Sequence, residues 1–534
     1  MVHSLRDASV VLTFWFSHIL EGETQSLDSV DAVDLRNSLV WGPGLDEKFL
    51  FSGAALPVRY FFIQLRRVDG TNFTGRPPEN FLKLSVGGVR LHDDAHNCAI
   101  QKQMIDRRDG FYVARYKVHS GCSNLRVELT AGKAERHLAS SPYVFTNEQH
   151  GALLPDRCYC PKWRRSEWSD VMDCKTCSLV NSQLSHWMKG GVNFSQVLER
   201  AEHHWARFPG AHSFCHYQFL SNKVYHKCYG THVGFKMFSD AIFLSLARKV
   251  KLPNMELLMN LGDWPLVRRG TGSSAEETPI PMISWCGSDD TLDLVLPTYE
   301  LTEATLEMMG RQSLDVQSVL GYRDYPWAEK LDKGFFRGRD SNQARLDLVL
   351  MARQYPDDLD VRITRFFFFR EVMEKYGNGS EHVSFADFFK YRYQISVDGT
   401  VAAYRLPYLL AGDALVFKQD SKFHEHFYKD LEPYVHHVPL KQDLSDVVEK
   451  IEWARAHPEK TQQMIRNAQQ FVLDHLQPAD VFCYHMKVLE GYSSLLADIP
   501  KEPRAGLTLV RQENAQCDCA RSHVGSHKKG RTEL

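Results

Sequence analysis

Gly334-Phe-Phe-Arg337-Gly338-Arg339-Asp340-Ser341, followed by Arg345 and the apolar run Leu346-Asp-Leu-Val-Leu350, reads as a strand, a tight glycine turn and a helix. That succession is the building unit of a parallel α/β sheet. Backbone N–H groups at a helix start favour an anion. Arg337, Arg339 and Arg345 add fork-shaped donors suited to phosphate. The glycines form neither a Walker A loop nor a G-x-G-x-x-G fingerprint. A surface turn with solvated charges is the plainer alternative for the same residues.

The same texture extends outward from about 150 to 497. Met255-Glu-Leu-Leu-Met-Asn-Leu261, Met282-Ile-Ser-Trp285 and Ala414-Leu-Val-Phe417 read as buried strands. Leu444 to Trp453 carries apolar residues at i, i+3, i+4 and i+7, and Thr461 to Leu476 is amphipathic, so both read as helices. Strand–helix alternation over that length predicts two doubly wound α/β halves with parallel sheets, 150–330 and 331–497. Residues 30–148 differ. Pro57 to Leu65, Phe81 to Val86, Gly110 to Tyr116 and Leu125 to Leu129 are short β-rich runs separated by turn residues at sandwich-like spacing. Ser38-Leu-Val-Trp-Gly-Pro-Gly44 resembles the opening of a filamin repeat, an immunoglobulin-like sandwich. No cluster of His, Asp and Glu marks this region, so it is assigned binding or positioning. No internal repeat is evident, and the tail 498–534 is expected to be disordered.

Two further segments carry chemistry. In Asn260-Leu-Gly-Asp263-Trp-Pro265 an acid stands just beyond a buried strand, where open α/β sheets bind ligands. Asp263 there is placed to take a proton from an acceptor hydroxyl; a plain turn Asp capping the next segment fits the same spacing. In Tyr391 to Arg405, a β-rich run meets Asp398-Gly399, then Thr400-Val401-Ala402-Ala403-Tyr404 and a basic side chain. Small residues let backbone approach a ligand closely, and Arg405, about one turn into a helix, would reach a diphosphate. A β-hairpin turn at Asp398-Gly399 is the alternative. Phe366 to Phe369 and Phe385 to Phe389 read as core, and His424, His426, His436 and His437 as structural or surface.

Net charge of −2 gives no footprint of a nucleic-acid binder, and no uncharged apolar stretch of about 20 residues marks a membrane span. The chain ends Arg531-Thr532-Glu533-Leu534, a variant of the x-[DE]-E-L address of the endoplasmic reticulum retrieval receptor, behind the basic Lys528-Lys529-Gly530. A lumenal location fits the 12 cysteines, which in an oxidising compartment suggest several disulfides of undeducible pairing. Cys174-Lys-Thr-Cys177 with Cys158 and Cys160 leaves zinc or redox roles open. A C-x-x-C oxidoreductase is the weaker reading, since no thioredoxin-like pattern surrounds it. The sequons Asn72-Phe-Thr74, Asn193-Phe-Ser195 and Asn378-Gly-Ser380 are compatible with secretion. In 1–29, Val10 to Leu20 supplies a short apolar stretch of signal-peptide type behind a single Arg6.

The three segments in this order, with the terminal tetrapeptide, resemble the protein O-glucosyltransferases related to fungal capsule-associated xylosyltransferases. The N-terminal β-domain brings the resemblance closest to the KDEL-motif-containing branch. The resemblance implies a GT-B-like pair of Rossmann-like halves with UDP-glucose, or UDP-xylose, between them, and no cofactor or metal. It implies transfer to serine in EGF-like repeats of secreted or surface proteins such as Notch and fibrillins. Gly-Asp-Trp-Pro matches the family's Arg-Asp-Tyr-Pro, so Asp263 falls on the catalytic base. The literal Arg323-Asp324-Tyr325-Pro326 follows no buried strand and is treated as a decoy. Arg345 and Arg405 fall on the UDP-sugar-binding arginines, and Thr400 to Tyr404 on the nucleotide loop. Arg337-Gly338 matches the Phe-Arg-Gly-Ser motif, with Arg339 in place of its Ser. The aromatic acceptor-binding stretch of the better-known relatives has no counterpart near Glu307 to Ser313. The competing reading is a non-catalytic lumenal client-binding protein with a degenerate transferase domain.

Overall fold

The computed structural model describes residues 32–511 apart from 52–55, 92, 159–164, 175–177, 189–190, 271–279 and 500. The N-terminal signal segment, the terminal tetrapeptide, and Cys160, Cys177, Cys517 and Cys519 lie outside the described residues.

Two antiparallel sheets form the N-terminal unit. One runs Val33–Trp41, Arg59–Arg67, Phe111–Val118, Ile100–Asp106; the other runs Asp93–Asn97, Leu82–Arg90, Cys122–Ala131, Arg136–His137, with Tyr143–Phe145 also on Cys122–Ala131. Side chains alternate across a strand, so a strand buried along its whole length must be covered on both faces. Arg59 to Leu65 is such a stretch. Phe61, Ile63 and Leu65 point into the core between the two sheets. Tyr60 and Phe62 join the core of the following α/β unit instead. Phe111–Val118 divides likewise, with Tyr112, Ala114 and Tyr116 inward and Phe111 and Val113 outward. The β-unit is therefore packed onto its neighbour, and the buried ion pair Arg115–Asp315 at 2.8 Å crosses the same junction.

The first α/β unit corrects the expectation of two parallel-sheet halves. Its sheet runs Leu294–Val295, Met282–Ser284, Met255–Asn260, Phe214–Leu220, Lys223–Tyr229, Thr508–Leu509. The first three strands are parallel, but Phe214–Leu220 is antiparallel to both neighbours. The reason is local: Ser221 and Asn222, both at positive φ (49° and 60°), join it to Lys223–Tyr229. A two-residue turn of that kind makes a hairpin, whereas a parallel partner needs a crossover of a dozen residues. The expected disordered tail is also corrected for its described part. Thr508–Leu509 closes the sheet edge, and Arg504 donates to buried Glu256 at 2.6 and 2.9 Å.

The second α/β unit has a wholly parallel sheet: Leu359–Arg365, Leu331–Arg339, Tyr391–Ser396, Leu415–Gln419, Val438–Leu440. In chain order this is 2-1-3-4-5, a doubly wound arrangement whose order reverses between Leu331–Arg339 and Tyr391–Ser396. Ligands bind such sheets outside the carboxyl ends of the strands at that switch point. The expected helices near 444–453 and 461–476 are present as Val447–Ala456 and Pro458–His475. Pro478–Ser493 then returns to the first unit. Phe482, Met486, Leu489 and Tyr492 enter its core, and a Cys174–Cys483 disulfide spanning 309 residues of chain fastens the crossing.

Two other expectations change. Cys174 is bonded to Cys483, not to Cys177, and Cys158 is also disulfide-bonded, so neither offers a free thiolate to a C-x-x-C redox pair or to zinc. The Phe366 to Phe369 run is not all core: Phe366 is buried, but Phe367 and Phe368 are 56% and 52% exposed. Further disulfides join Cys98 to Cys122 and Cys215 to Cys228.

Candidate active site

A cleft of about 520 Å³ opens between the two α/β units at the switch point of the parallel sheet. Every residue singled out from sequence lines it: Asp263 from the first unit; Arg337, Gly338, Arg339, Arg345 and Thr400 to Arg405 from the second. A cavity of about 660 Å³ between Leu179, Arg269, Asp293 and His424 is larger, but its Asp293 is committed to backbone amides. In the smaller cleft a base-type carboxylate, guanidinium groups and a small-residue backbone loop converge, within the size range of ligand pockets.

Asp263 stands three residues past Met255–Asn260 on a turn stitched from both sides. Asn260 accepts from Gly262 N at 2.9 Å and donates to Trp264 O at 2.7 Å and to Ser284 Oγ at 3.0 Å. Buried Asp293 accepts from Leu266 N and Val267 N, each at 2.8 Å, and from Ser284 Oγ at 2.6 Å. The carboxylate is half-buried, and its described partner is the Tyr299 hydroxyl, donating at 3.5 Å. Burial raises its pKa and Tyr299 opposes this, which moves a carboxylate towards use as a base.

Arg345 is a bolt between the loops of the second unit. Its Nε donates to Asp398 O at 2.7 Å, Nη1 to Arg339 O at 3.0 Å and Ser341 Oγ at 3.3 Å, and Nη2 to Val397 O at 3.0 Å. Burial, with Arg405 nearby, pushes its pKa down to about 9. Gly338 is required beneath it, since a Cβ there would meet Phe336 Cζ at 2.7 Å and Arg345 Nη1 at 3.3 Å. Asn342 caps the helix Gln343–Gln354 through Arg345 N at 3.1 Å and donates to the carbonyls of Asp398 and Gly399 at 2.8 and 3.0 Å. Burial lifts Asp398 to about 6 against a hydrogen bond from Ser421.

Arg405 stands immediately before the helix Leu406–Ala411, not a turn inside it. One Nη donates to Arg337 O, and its guanidinium lies over the Phe336 ring at 5.5 Å, a ring it shares with Arg345 at 5.3 Å. Burial lowers its pKa and Glu300 opposes this. Arg337 departs from the reading as a phosphate ligand. Its guanidinium lies over the Phe335 ring at 4.5 Å and donates to Phe336 O, Asp360 O and Asp360 Oδ1 at 2.9, 2.9 and 2.7 Å. What it offers the cleft is the carbonyl that holds Arg405. Arg339 is exposed in the cleft with no hydrogen bond or ion pair of its guanidinium among the described residues. Val401, Ala402 and Tyr404 pack with Cys286, and Tyr404 meets Tyr299 edge-on at 5.5 Å.

Sequence reasoning missed Tyr299 and Glu300, which line the cleft beside Asp263. Their signal was Thr298, which caps the helix Tyr299–Leu306 by accepting from Leu301 N at 3.4 Å. Arg323 and Asp324 of the literal Arg-Asp-Tyr-Pro do not line the cleft: Arg108 of the β-unit donates to Arg323 O at 3.1 Å and Asp324 Oδ1 at 3.2 Å. Among the described residues, no three of His, Cys, Asp and Glu gather as a metal-ligand set.

The sequence profile of glycosyl transferase family 90 matches residues 170–532, which contain the whole cleft. The chain belongs to this family. It is a glycosyltransferase. It is 45% identical over 493 residues to "Protein O-glucosyltransferase 2" of Danio rerio, covering 91% of this chain and 93% of that one. It is 39% identical over 515 residues to "Protein O-glucosyltransferase 3" of Homo sapiens, covering 94% and 95%. Among solved structures, TarM aligns with 31% of this chain and 36% of its own at 8% identity and a TM-score of 0.26, too slight to carry an argument.

Proposed function

We propose that this family 90 enzyme transfers glucose from UDP-glucose to a serine hydroxyl in EGF-like repeats of secreted or surface proteins, such as Notch and fibrillins, by a single inverting displacement. The observation that carries the reading is the single cleft into which the first unit projects Asp263 and the second unit Arg339, Arg405 and the Thr400 to Tyr404 loop. The names of the relatives support glucose and a protein acceptor. The serine acceptor, the EGF-like repeat and the retrieval address rest on the family resemblance and the terminal tetrapeptide. Disulfides fit an oxidising lumen, and among the described residues no helix is long and apolar enough to cross a membrane. On this reading the enzyme works in the endoplasmic reticulum, and the β-unit is a filamin-type sandwich that positions the transferase.

A serine hydroxyl is a poor nucleophile near neutral pH. Asp263 accepts its proton as the oxygen attacks the anomeric carbon, help worth about 10²–10⁴-fold. The carbon–oxygen bond to UDP breaks on the opposite face, and the diphosphate gains negative charge. Arg405, Arg339 and backbone N–H groups of the nucleotide loop stabilise that charge. Arg345 holds the two loops in register and needs no direct contact with the donor. UDP-xylose, one hydroxymethyl group smaller, is the rival donor.

The test is to incubate purified protein with UDP-glucose and a folded EGF-like repeat and weigh the repeat. A hexose-sized gain on serine is expected, and competing UDP-xylose ranks the donors. A repeat of unchanged mass, with UDP-glucose hydrolysis intact, refutes the acceptor.

A further inference from the structure

Asp340 is fully buried. Its two oxygens accept the consecutive backbone amides of Phe367, Phe368 and Phe369, the first at 2.8 and 2.9 Å and the others at 2.9 and 2.7 Å. This clamp fixes the loop after Leu359–Arg365 and turns Phe367 and Phe368 into solvent. Their rings meet edge-on at 5.1 Å, and Arg370 lies 5.2 Å from the Phe367 ring. Arg365 and Arg370 are exposed, and neither guanidinium has a hydrogen bond or ion pair among the described residues. The nearest carboxylates in sequence are Glu371, next to Arg370, and Asp360, before Arg365. An apolar pair held rigid and exposed costs free energy unless something covers it.

Its position says what covers it. Arg339 and Ser341, either side of Asp340, both line the cleft, as does Thr364 at the base of the loop. A cleft of about 520 Å³ that holds a nucleotide sugar admits one acceptor side chain, not a folded protein. The surface around that side chain must then rest on the rim. We propose that Phe367 and Phe368, flanked by Arg365 and Arg370, are a docking ledge for the polypeptide acceptor, and that they receive an apolar patch bordered by carboxylates next to the reacting hydroxyl. The inference rests on the proposed transfer to a folded protein. Aromatic side chains, phenylalanine among them, and arginine are enriched at protein interfaces.

The experiment uses the full chain, UDP-glucose and an isolated folded EGF-like repeat, with two double variants, Phe367→Ala/Phe368→Ala and Arg365→Glu/Arg370→Glu. UDP release without acceptor reports the donor site alone. Each variant is expected to raise KM for the repeat about tenfold while leaving UDP release unchanged. The aromatic variant should keep the wild-type salt dependence of KM, and the charge-reversal variant should lose it. An unchanged KM overturns the ledge, as does a parallel loss of UDP release, which would assign the loop to the donor. A shift from dimer to monomer in the aromatic variant overturns it in favour of self-association. A wild-type enzyme that releases UDP but leaves the repeat unmodified refutes the acceptor class, and the ledge with it.

Discussion

Arg345→Lys, a replacement that preserves charge, is predicted to be damaging because of how the guanidinium is used. Three backbone carbonyls from two loops surround it, at 2.7, 3.0 and 3.0 Å. A planar fork reaches all three, whereas an ammonium is a compact point donor on a flexible stem and reaches one, at most two. Each hydrogen bond lost from a charged donor costs roughly 1.5–3 kcal/mol. Two losses come to about 3–6 kcal/mol, partly offset because a buried lysine sheds its proton more readily than arginine. A net loss of about 3 kcal/mol lowers Tm by roughly 6–12 °C for a domain of this size. With the bolt gone, the loops after Leu331–Arg339 and Tyr391–Ser396 separate, and UDP affinity falls by about tenfold or more, as expected for displaced binding groups. Thermal denaturation and calorimetric titration with UDP measure both effects on one sample. The reasoning fails if the variant melts with wild type but loses UDP, because the guanidinium would then serve the ligand directly. It fails equally if both quantities are unchanged.

Asp263→Asn is expected to lower kcat by about 10²–10⁴-fold with UDP affinity unchanged, measured by mass transfer and calorimetry. Because burial raises the Asp263 pKa, kcat/KM should fall with decreasing pH through a midpoint above the ordinary carboxylate value of 3.8. The stability sign is opposite to that of a salt-bridged acid. A raised folded pKa makes the ionised form costly at high pH, so Asp263→Asn should stabilise near neutrality and lose that advantage in acid, read by denaturation at two pH values. Arg115→Ala should cost about 3–5 kcal/mol by leaving Asp315 buried and uncompensated, whereas an apolar replacement of both partners should cost less; urea unfolding of the two variants decides. Arg337→Met should lower stability with little change in donor KM, since its guanidinium serves Asp360 and not the cleft.

Legibility followed the range of the interaction. The strand, turn and helix of 334–350 were readable because period-2 and period-3.6 patterns are properties of neighbouring residues. Asp263 was readable because an acid just past a buried strand has a fixed place in an open sheet. The antiparallel Phe214–Leu220 was missed, although the positive-φ pair Ser221-Asn222 marks a two-residue turn. The four-phenylalanine run was misjudged because apolar composition says nothing about an Asp340 clamp 27 residues earlier that holds two of the rings outward.

By itself the sequence supplied most element types and named the acid and the arginines that line the cleft, and its match to glycosyl transferase family 90 shows the family. Only the tertiary structure decided which arginine faces the cleft. Arg337, Arg339, Arg345 and Arg405 carry the same group, and their roles differ through their partners: Asp360, the open cleft, three loop carbonyls, and the Arg337 carbonyl beside Glu300. Those partners are set by packing between strands and helices distant in sequence. Local propensity cannot encode them, because burial and hydrogen-bond competition are resolved only once the sheet strands and their neighbouring loops have packed together.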